Sequence, residues 1–184
     1  MTHKIINHGY QRPTITADHK ILGSLKIDRE ILQPNGQWVD VIPTNENQFN
    51  ANFETFGCTT YGSLNCVEMI MRKKYPPEVN YSDRFTYISS DTFPPGNDPH
   101  IVAEAIRNCG VVLESKLPFY IDIQTLDEYR DMGPNGGELI EEGLEWKDLY
   151  SFHHEWTLTG NLLPAGVKQQ ILKSALKLSP SVVS

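Results

Sequence analysis

A cysteine opens the first strongly amphipathic segment of the chain and is the residue best placed for covalent chemistry. Cys58 follows Phe56-Gly57, and apolar residues recur at helical spacing directly after it. A thiol in the first turn of a helix lies near the positive end of the helix dipole and near unpaired N–H groups, and both favour the thiolate. Because the thiolate is the nucleophilic form, this placement suits covalent catalysis. The alternative is a small packed side chain that happens to begin a helix.

A carboxylate ten residues later falls on the apolar face of the same predicted helix. Glu68 stands among Leu64, Val67 and Met71, where an unpaired buried charge would cost several kcal/mol. It therefore requires a buried partner, and we expect an ion pair that fixes packing rather than a catalytic role.

Three helices must position these residues. They cover 58–74, 98–109 and 165–178, where apolar residues recur every three or four positions. Asp98 is the predicted N-cap of the second helix, and Gly110 is its stop signal. The residues expected on the apolar faces of the second and third helices are Ile101, Val102, Ala105, Ile106 and Cys109, and Val167, Ile171, Leu172, Ala175 and Leu176.

The remaining segments predict short strands and one long surface excursion. Strand-like patterns cover His19–Ile27, Trp38–Ile42 and Val111–Leu113, and the residues from Ser181 onward resemble the opening of another strand. Between residues 122 and 148, nine acidic residues stand against two basic ones, and this charge run predicts a solvated excursion.

Composition excludes several classes of protein. The 184 residues are 39% hydrophobic and 21% charged, a balance typical of a globular domain with its own core. The net charge of −7 argues against a partner bound through nucleic-acid phosphates. No apolar run is long enough to span a membrane, and no secretory signal begins the chain, so the cytoplasm is the default expectation. An odd count of three cysteines implies a free thiol rather than a disulfide framework.

The sequence around Cys58 resembles the start of a papain-like cysteine peptidase. After Trp38 the chain continues as ENQFNANFETFGCTTYGSLNCVEMI, in which an amide segment precedes the cysteine and a Glu follows ten residues after it. The resemblance implies that Asn47-Gln48 carries the oxyanion-hole amide, that Cys58 is the nucleophile on the central helix, and that Glu68 is a buried structural residue.

Further motifs of that family follow in the family's order through residue 184. The segment Tyr81–Arg84 is similar to the helix start after the central helix, and Pro95-Gly96-Asn97 falls where the family has a glycine pair lining the substrate cleft. Residues 101–120 are similar to a further motif of the family, and residues 167–184 resemble the stretch that precedes the strand of the catalytic His. The resemblance implies that Gly96 and Asn97 bind the substrate.

Several departures from the family pattern leave alternatives open. Ten residues separate Gln48 from Cys58 where the family has six, so Asn52, six residues before Cys58, is an alternative amide donor. Thr59 replaces the bulky residue after the nucleophile, and Asn97 replaces the second glycine of the cleft. The family's catalytic His and Asn would lie beyond residue 184, and the chain reads as cut short before them.

The histidines offer a second kind of site. His153-His154 precede the third helix, which is the wrong place for the catalytic base of the family. A zinc site that combines this pair with Cys109 or His100 is conceivable, but no ligand spacing in the sequence supports it. We expect solvated surface histidines, with no metal and no cofactor.

Together these features predict an α+β, papain-like fold. Its helical N-terminal lobe is present in residues 38–184, the β-rich lobe is largely missing, and residues 1–37 form an extended lead-in or a pro-like segment. The expected function is a cysteine-type peptidase acting on peptides or proteins, inactive as this truncated chain. The alternative is a non-catalytic papain-like module used for binding or assembly. A Cys-nucleophile amidase acting on another amide is a third possibility, and the oligomeric state stays open.

Overall fold

A computed structural model describes residues 9–11, 14, 16–17, 19–43, 48, 50–77, 79–119, 122–157 and 163–182. Within these residues the chain combines six α-helices and one 3-10 helix with a two-stranded parallel sheet. In chain order the elements are β1 (Gly9–Tyr10), the 3-10 helix (Val39–Val41), α1 (Cys58–Lys74), α2 (Asp83–Ser89), β2 (Gly96–Asn97), α3 (Pro99–Cys109), α4 (Leu126–Tyr129), α5 (Gly136–Leu149) and α6 (Ala165–Leu178). None of these helices is long and apolar enough to cross a lipid bilayer.

Helix α1 lies at the centre of the core, and its bounds confirm the prediction from the sequence. It begins at Cys58, ends at Lys74 with three basic residues in its last turn, and packs against α2, α3 and both strands. The basic residues complement the negative end of the helix dipole. Its buried face belongs to the largest apolar cluster, which comprises Leu64, Val67, Met71, Tyr81, Val102, Ile106 and Val111.

Side-chain caps begin the next two helices. The Ser82 hydroxyl accepts a hydrogen bond from the Phe85 N–H at 3.0 Å and starts α2. The Asp98 carboxylate accepts from the His100 N–H at 2.7 Å and starts α3, as the sequence predicts. Each cap satisfies a helical N–H that lacks an intrahelical partner.

At the end of α3, two glycines bring the main chains of α3 and α5 into close contact. Gly110 terminates the helix with φ of 72°, and an added Cβ there would lie 1.7 Å from the Gly143 carbonyl oxygen of α5. A side chain on Gly143 would in turn meet the Cys109 carbonyl oxygen at 2.5 Å. The two backbones can approach this closely only because neither residue has a side chain.

The acidic run between residues 122 and 148 is solvated as predicted, but it is folded into helices that the sequence pattern did not reveal. It contains helices α4 and α5, with Tyr129 completely buried and Leu139 only 5% exposed. Eight of its nine acidic residues are exposed and Glu142 is partly so, which confirms that the charges face solvent. One apolar stripe is enough to dock a helix whose other faces carry charge.

Three segments that the sequence predicts as strands do not form strands, so these predictions are wrong. Residues 39–41 form the 3-10 helix rather than a strand. The segment His19–Ile27 contributes one isolated bridge, from Ile21 to Trp156, and Val111–Leu113 contributes one at Leu113. Apolar runs this short take their structure from the partners they meet, which the pattern alone does not reveal. Residues 181–182 form no strand, and the last two positions of that prediction lie outside the described residues.

The end of the lead-in and the adjoining Trp38 pack on the C-terminal half of α6. Trp38 is 5% exposed and donates its indole N–H to the Leu176 carbonyl at 2.7 Å, while the Gln33 N–H donates to the Lys177 carbonyl at 3.0 Å. These contacts satisfy carbonyls in the last turn of the helix.

The predicted bounds of α3 and α6 are confirmed, whereas parts of their predicted apolar faces are wrong. Ile101, Val167 and Leu172 are 50%, 40% and 37% exposed. The deeply buried positions are Val102 and Ile106 on α3 and Ala175 on α6. Periodicity therefore located both helices but did not determine which apolar residues are covered.

Candidate active site

A strained turn leads into Cys58. Phe56 has φ of 53°, a left-handed conformation that is uncommon for a residue with a side chain. Gly57 follows as the residue that caps α1, and its N–H donates to the Thr55 hydroxyl at 3.2 Å. A Cβ on Gly57 would lie 3.0 Å from the Tyr61 ring and 3.2 Å from the Thr55 hydroxyl, so a side chain there would require these neighbours to shift. The turn places Cys58 in the first position of the helix.

A buried tyrosine, Tyr87, holds this turn in place. The Tyr87 hydroxyl donates to the Thr55 carbonyl at 2.8 Å, and both residues are fully buried. Burial raises the pKa of Tyr87 to about 12, so the hydroxyl keeps the proton that it donates. Such support from a packed residue is what keeps a strained turn from relaxing.

The three cysteines are free thiols in different surroundings. Cys58 is half-buried at the beginning of α1, whose Gly57 cap offers no side chain to the first N–H groups. Burial raises the pKa of the Cys66 thiol to about 12, which makes it a resting thiol at neutral pH. Cys109 is half-buried at the end of α3. Because the other two cysteines are free thiols of the same chain, their reaction rates can serve as internal references for that of Cys58.

A segment of the lead-in lies on the predicted substrate-binding residues. Strand β1 pairs in parallel with β2, with Gly9 opposite Gly96 and Tyr10 opposite Asn97. Gln11 extends the contact, because its N–H donates to the Asn97 carbonyl at 2.9 Å and its side-chain amide donates to the Gly96 carbonyl at 2.6 Å. Gly96 and Asn97 therefore present a main-chain edge that residues 9–11 occupy in an extended conformation.

This peptide segment also contacts the turn and the helix of Cys58. The Thr59 hydroxyl lies 3.0 Å from the Gly9 carbonyl oxygen and 3.1 Å from that of Asn97, and it can donate to either. A Cβ on Gly9 would lie 1.8 Å from the Phe56 carbonyl oxygen, and one on Gly96 would lie 2.0 Å from that of Gly9. Glycine at both positions lets three stretches of main chain meet next to Cys58.

Asn97 contributes its main chain to this edge and its side chain to the core. It is 6% exposed, and its amide donates to the Ser90 carbonyl at 2.8 Å and the Thr92 hydroxyl at 2.9 Å. The side-chain oxygen accepts from the Asp98 N–H at 2.8 Å. The Asn97 side chain thus fixes the loop that carries the edge.

The two predicted candidates for the oxyanion amide lie in different surroundings. Gln48 is exposed, Asn47 lies outside the described residues, and no described hydrogen bond joins Gln48 to Cys58. The alternative, Asn52, donates its amide to the Ile123 carbonyl at 3.3 Å. The Asn52 side chain therefore helps to hold the loop before α4.

Glu68 is buried as predicted, at 1% exposed. One of its carboxylate oxygens accepts a hydrogen bond from the Tyr81 N–H at 2.6 Å. This bond ties the middle of α1 to the residue that precedes the cap of α2. This main-chain contact supports the structural role, and the expected ion pair of Glu68 stays a prediction.

A histidine cluster lies outside this arrangement and was not predicted. His154 is half-buried, and its Nε2 lies 2.8 Å from His100 Nδ1, so the expectation of a solvated histidine is wrong for His154 although His153 is exposed. Burial lowers the pKa of His154. Among the described residues no histidine forms a hydrogen bond to Cys58. The feature of the sequence that could have indicated this cluster is the four-residue spacing of His100 and Glu104, which puts both side chains on one face of α3.

Comparisons with known protein families, with curated proteins and with solved structures each found no match. The likeness to papain-like peptidases therefore rests on the order of motifs along the chain.

Proposed function

We propose that this chain is the helical lobe of a papain-like cysteine peptidase in which Cys58 is the nucleophile. The observation that carries the proposal is the peptide segment 9–11, which pairs through its main chain with Gly96–Asn97 next to the helix of Cys58. Recognition of an extended peptide by strand addition uses main-chain bonds of this kind and accepts many sequences. A nucleophile that begins a helix next to such an edge suits attack on a peptide bond.

The chemistry follows from the position of Cys58. Its thiolate attacks the peptide carbonyl, and the Cys58 N–H together with the Gln48 amide stabilises the oxyanion of the tetrahedral intermediate. Loss of one such donor lowers turnover on the order of 10²- to 10³-fold. A general base must activate the thiol and then protonate the leaving amine. We assign that role to a histidine of a second lobe, and we expect the 184-residue chain alone not to hydrolyse peptides.

The segment 9–11 acts in this proposal as an internal competitor of the substrate. It occupies the edge that a substrate strand needs, and Gly9 contacts both Phe56 and Thr59. This arrangement supports the pro-like alternative for residues 1–37. Release of the segment exposes the edge and frees the two residues, Phe56 and Thr59, that it contacts on either side of Cys58.

The proposal is tested by alkylation of the full chain with iodoacetamide at pH 6, followed site by site by mass spectrometry. A catalytic thiol reacts at this pH, whereas a resting thiol is mostly protonated. We expect Cys58 to be labelled at least about tenfold faster than Cys109, a half-buried free thiol of the same chain that serves as the internal control. Equal rates at the two positions would contradict the proposal.

A non-catalytic binding module is the second candidate. It is favoured by Thr59, whose hydroxyl bridges the Gly9 and Asn97 carbonyls and holds the segment against the edge. In such a module Cys58 is only packed and is alkylated slowly, even after the segment has been released. The labelling experiment therefore separates the two candidates.

A further inference from the structure

Three side chains with metal-ligating atoms meet where the segment after α5 lies against α3. His100 and Glu104 are four residues apart on α3 and share one face of that helix. His154 places its Nε2 2.8 Å from His100 Nδ1 and its Nδ1 3.8 Å from a Glu104 carboxylate oxygen. One ligand atom of each residue lies within 4.8 Å of those of the other two.

The spacing of these atoms is close to that of a tetrahedral zinc site. With Zn–N distances of about 2.0–2.1 Å, two ligand nitrogens stand about 3.3 Å apart. His100 and His154 therefore need to separate by about half an ångström to admit the ion. Two imidazoles and one carboxylate suit zinc and similar transition metals, whereas calcium and magnesium prefer oxygen ligands only.

The lead-in holds the segment that carries His154. The Trp156 N–H donates to the Lys20 carbonyl at 2.6 Å, and the Leu22 N–H donates to the Trp156 carbonyl at 2.9 Å. Glu155 pairs with Arg29 at 2.7 Å. Because both neighbours of His154 on the C-terminal side are anchored, the imidazole is positioned before any ligand arrives.

A second observation at the same place points to a missing partner. The His19 ring stacks on that of His100, with 4.2 Å between centroids, and its Nδ1 accepts from the Thr16 N–H at 3.1 Å. This bond puts the proton of a neutral His19 on Nε2. That Nε2 is buried and has no hydrogen-bond partner among the described residues. A buried donor without an acceptor is costly, and a water or hydroxide bound to a metal next to it can accept its hydrogen bond.

The charged group that faces the cluster is Arg107, one turn further along α3. Its guanidinium binds the Glu104 carboxylate, and the two side chains are 45% and 31% exposed. Exposed pairs of this kind contribute little to stability, so a cation bound by two imidazoles can share the carboxylate. Arg107 should therefore weaken metal binding without preventing it.

From these contacts we propose that His100, Glu104 and His154 bind a divalent transition metal ion of the zinc class, with water as the fourth ligand. The ion joins α3 to the segment that follows α5. This site shares no residue with the Cys58 region and does not depend on the proposed peptidase function.

Titration of the chelator-treated full chain with Zn²⁺, followed by isothermal calorimetry, tests the proposal. We expect one ion per chain, and His100→Ala and His154→Ala should each weaken binding about 100-fold or more, beyond the 10- to 100-fold effect typical of outer-shell residues. His153→Ala is the matched control and should leave the affinity unchanged, because that neighbouring histidine is exposed. Arg107→Ala should tighten binding a few-fold, because it frees Glu104.

Two further measurements separate ligation from folding. Circular dichroism of each metal-free variant shows whether it folds. If a histidine variant does not fold, Glu104→Gln replaces it as the test of ligation, because the Glu104 side chain is partly exposed. The absorption spectrum of the Co²⁺ form should lack the charge-transfer band of thiolate ligands. The proposal is overturned by absence of stoichiometric binding, by a thiolate band, or by equal losses in His153→Ala and His154→Ala.

Discussion

The main-chain N–H of Gln11 donates to the carbonyl of Asn97 over 2.9 Å and joins the N-terminal segment to the loop before α3. The two residues are 86 positions apart in the chain. Through this contact the lead-in covers the edge assigned to substrate, so the accessibility of that edge depends on the docking of residues 9–11. The proposed function is therefore most directly probed through this segment.

Gly9→Ala should release the segment and accelerate alkylation of Cys58. The new side chain would lie 1.8 Å from the Phe56 carbonyl oxygen, on a residue whose φ of 104° disfavours any side chain. A loss of about 1.4 kcal/mol in docking corresponds to a tenfold rise in the exposed state. Mass spectrometry of the iodoacetamide reaction measures the rate at Cys58.

Gly23→Ala is the matched control for that variant. Gly23 also has a positive φ, of 90°, but a Cβ there has no atom within 4 Å. The control therefore carries the backbone strain without the clash. An equal increase of the Cys58 rate in both variants would assign the effect to general loosening of the lead-in.

Glu68→Ala should destabilise the chain by about 3–4 kcal/mol, because it leaves a cavity and removes the acceptor of the Tyr81 N–H. Glu68→Gln retains an acceptor oxygen and should cost less. Glu141→Ala, an exposed residue of α5, should change the free energy of unfolding by no more than about 0.5 kcal/mol. Urea unfolding at pH 7 measures all three, and a small effect of Glu68→Ala would contradict the structural role.

Stability should decrease at alkaline pH. Burial raises the pKa of Tyr61, Tyr87, Tyr129 and Cys66 above the ordinary values of 10 for tyrosine and 9 for cysteine. Their stabilising contribution is therefore complete below about pH 9 and is lost as the pH rises toward the folded-state pKa, because the unfolded chain ionises first. Urea midpoints between pH 7 and pH 11 should show this decrease.

Tyr87→Phe tests the assignment of that alkaline loss. It keeps the ring packing but removes the phenol whose pKa burial raises to about 12 and the hydrogen bond to Thr55. The variant should be less stable at pH 7, by about 1 kcal/mol, and should lose less stability above pH 9. An unchanged alkaline slope would mean that Tyr87 does not contribute to it.

Gly143→Ala should destabilise the contact between α3 and α5. Its Cβ would lie 2.5 Å from the Cys109 carbonyl oxygen, and relief of such a clash costs about 1–3 kcal/mol. Gly137→Ala in the same helix meets no atom within 4 Å and should stabilise by about 0.4–1 kcal/mol. Thermal unfolding that moves the two variants in the same direction would contradict the close-contact explanation.

The sequence alone determined the features that depend on near neighbours. The bounds of α1, α3 and α6 follow from apolar periodicity and local stop signals, and the cap at Asp98 follows from one side chain. The position of Cys58 in a first helical turn is local in the same sense. Each of these features is set within a few residues, where intrinsic propensity and hydrogen bonding act directly.

Only the tertiary structure decided which distant segments meet. The acidic run concealed α5, whose docking depends on the contact between Gly110 and Gly143. The pairing of residues 9–11 with β2 and the meeting of His100 with His154 join residues far apart in the chain. Such contacts depend on how whole elements pack, and packing is decided by the shape of many surfaces at once rather than by any pattern along the chain.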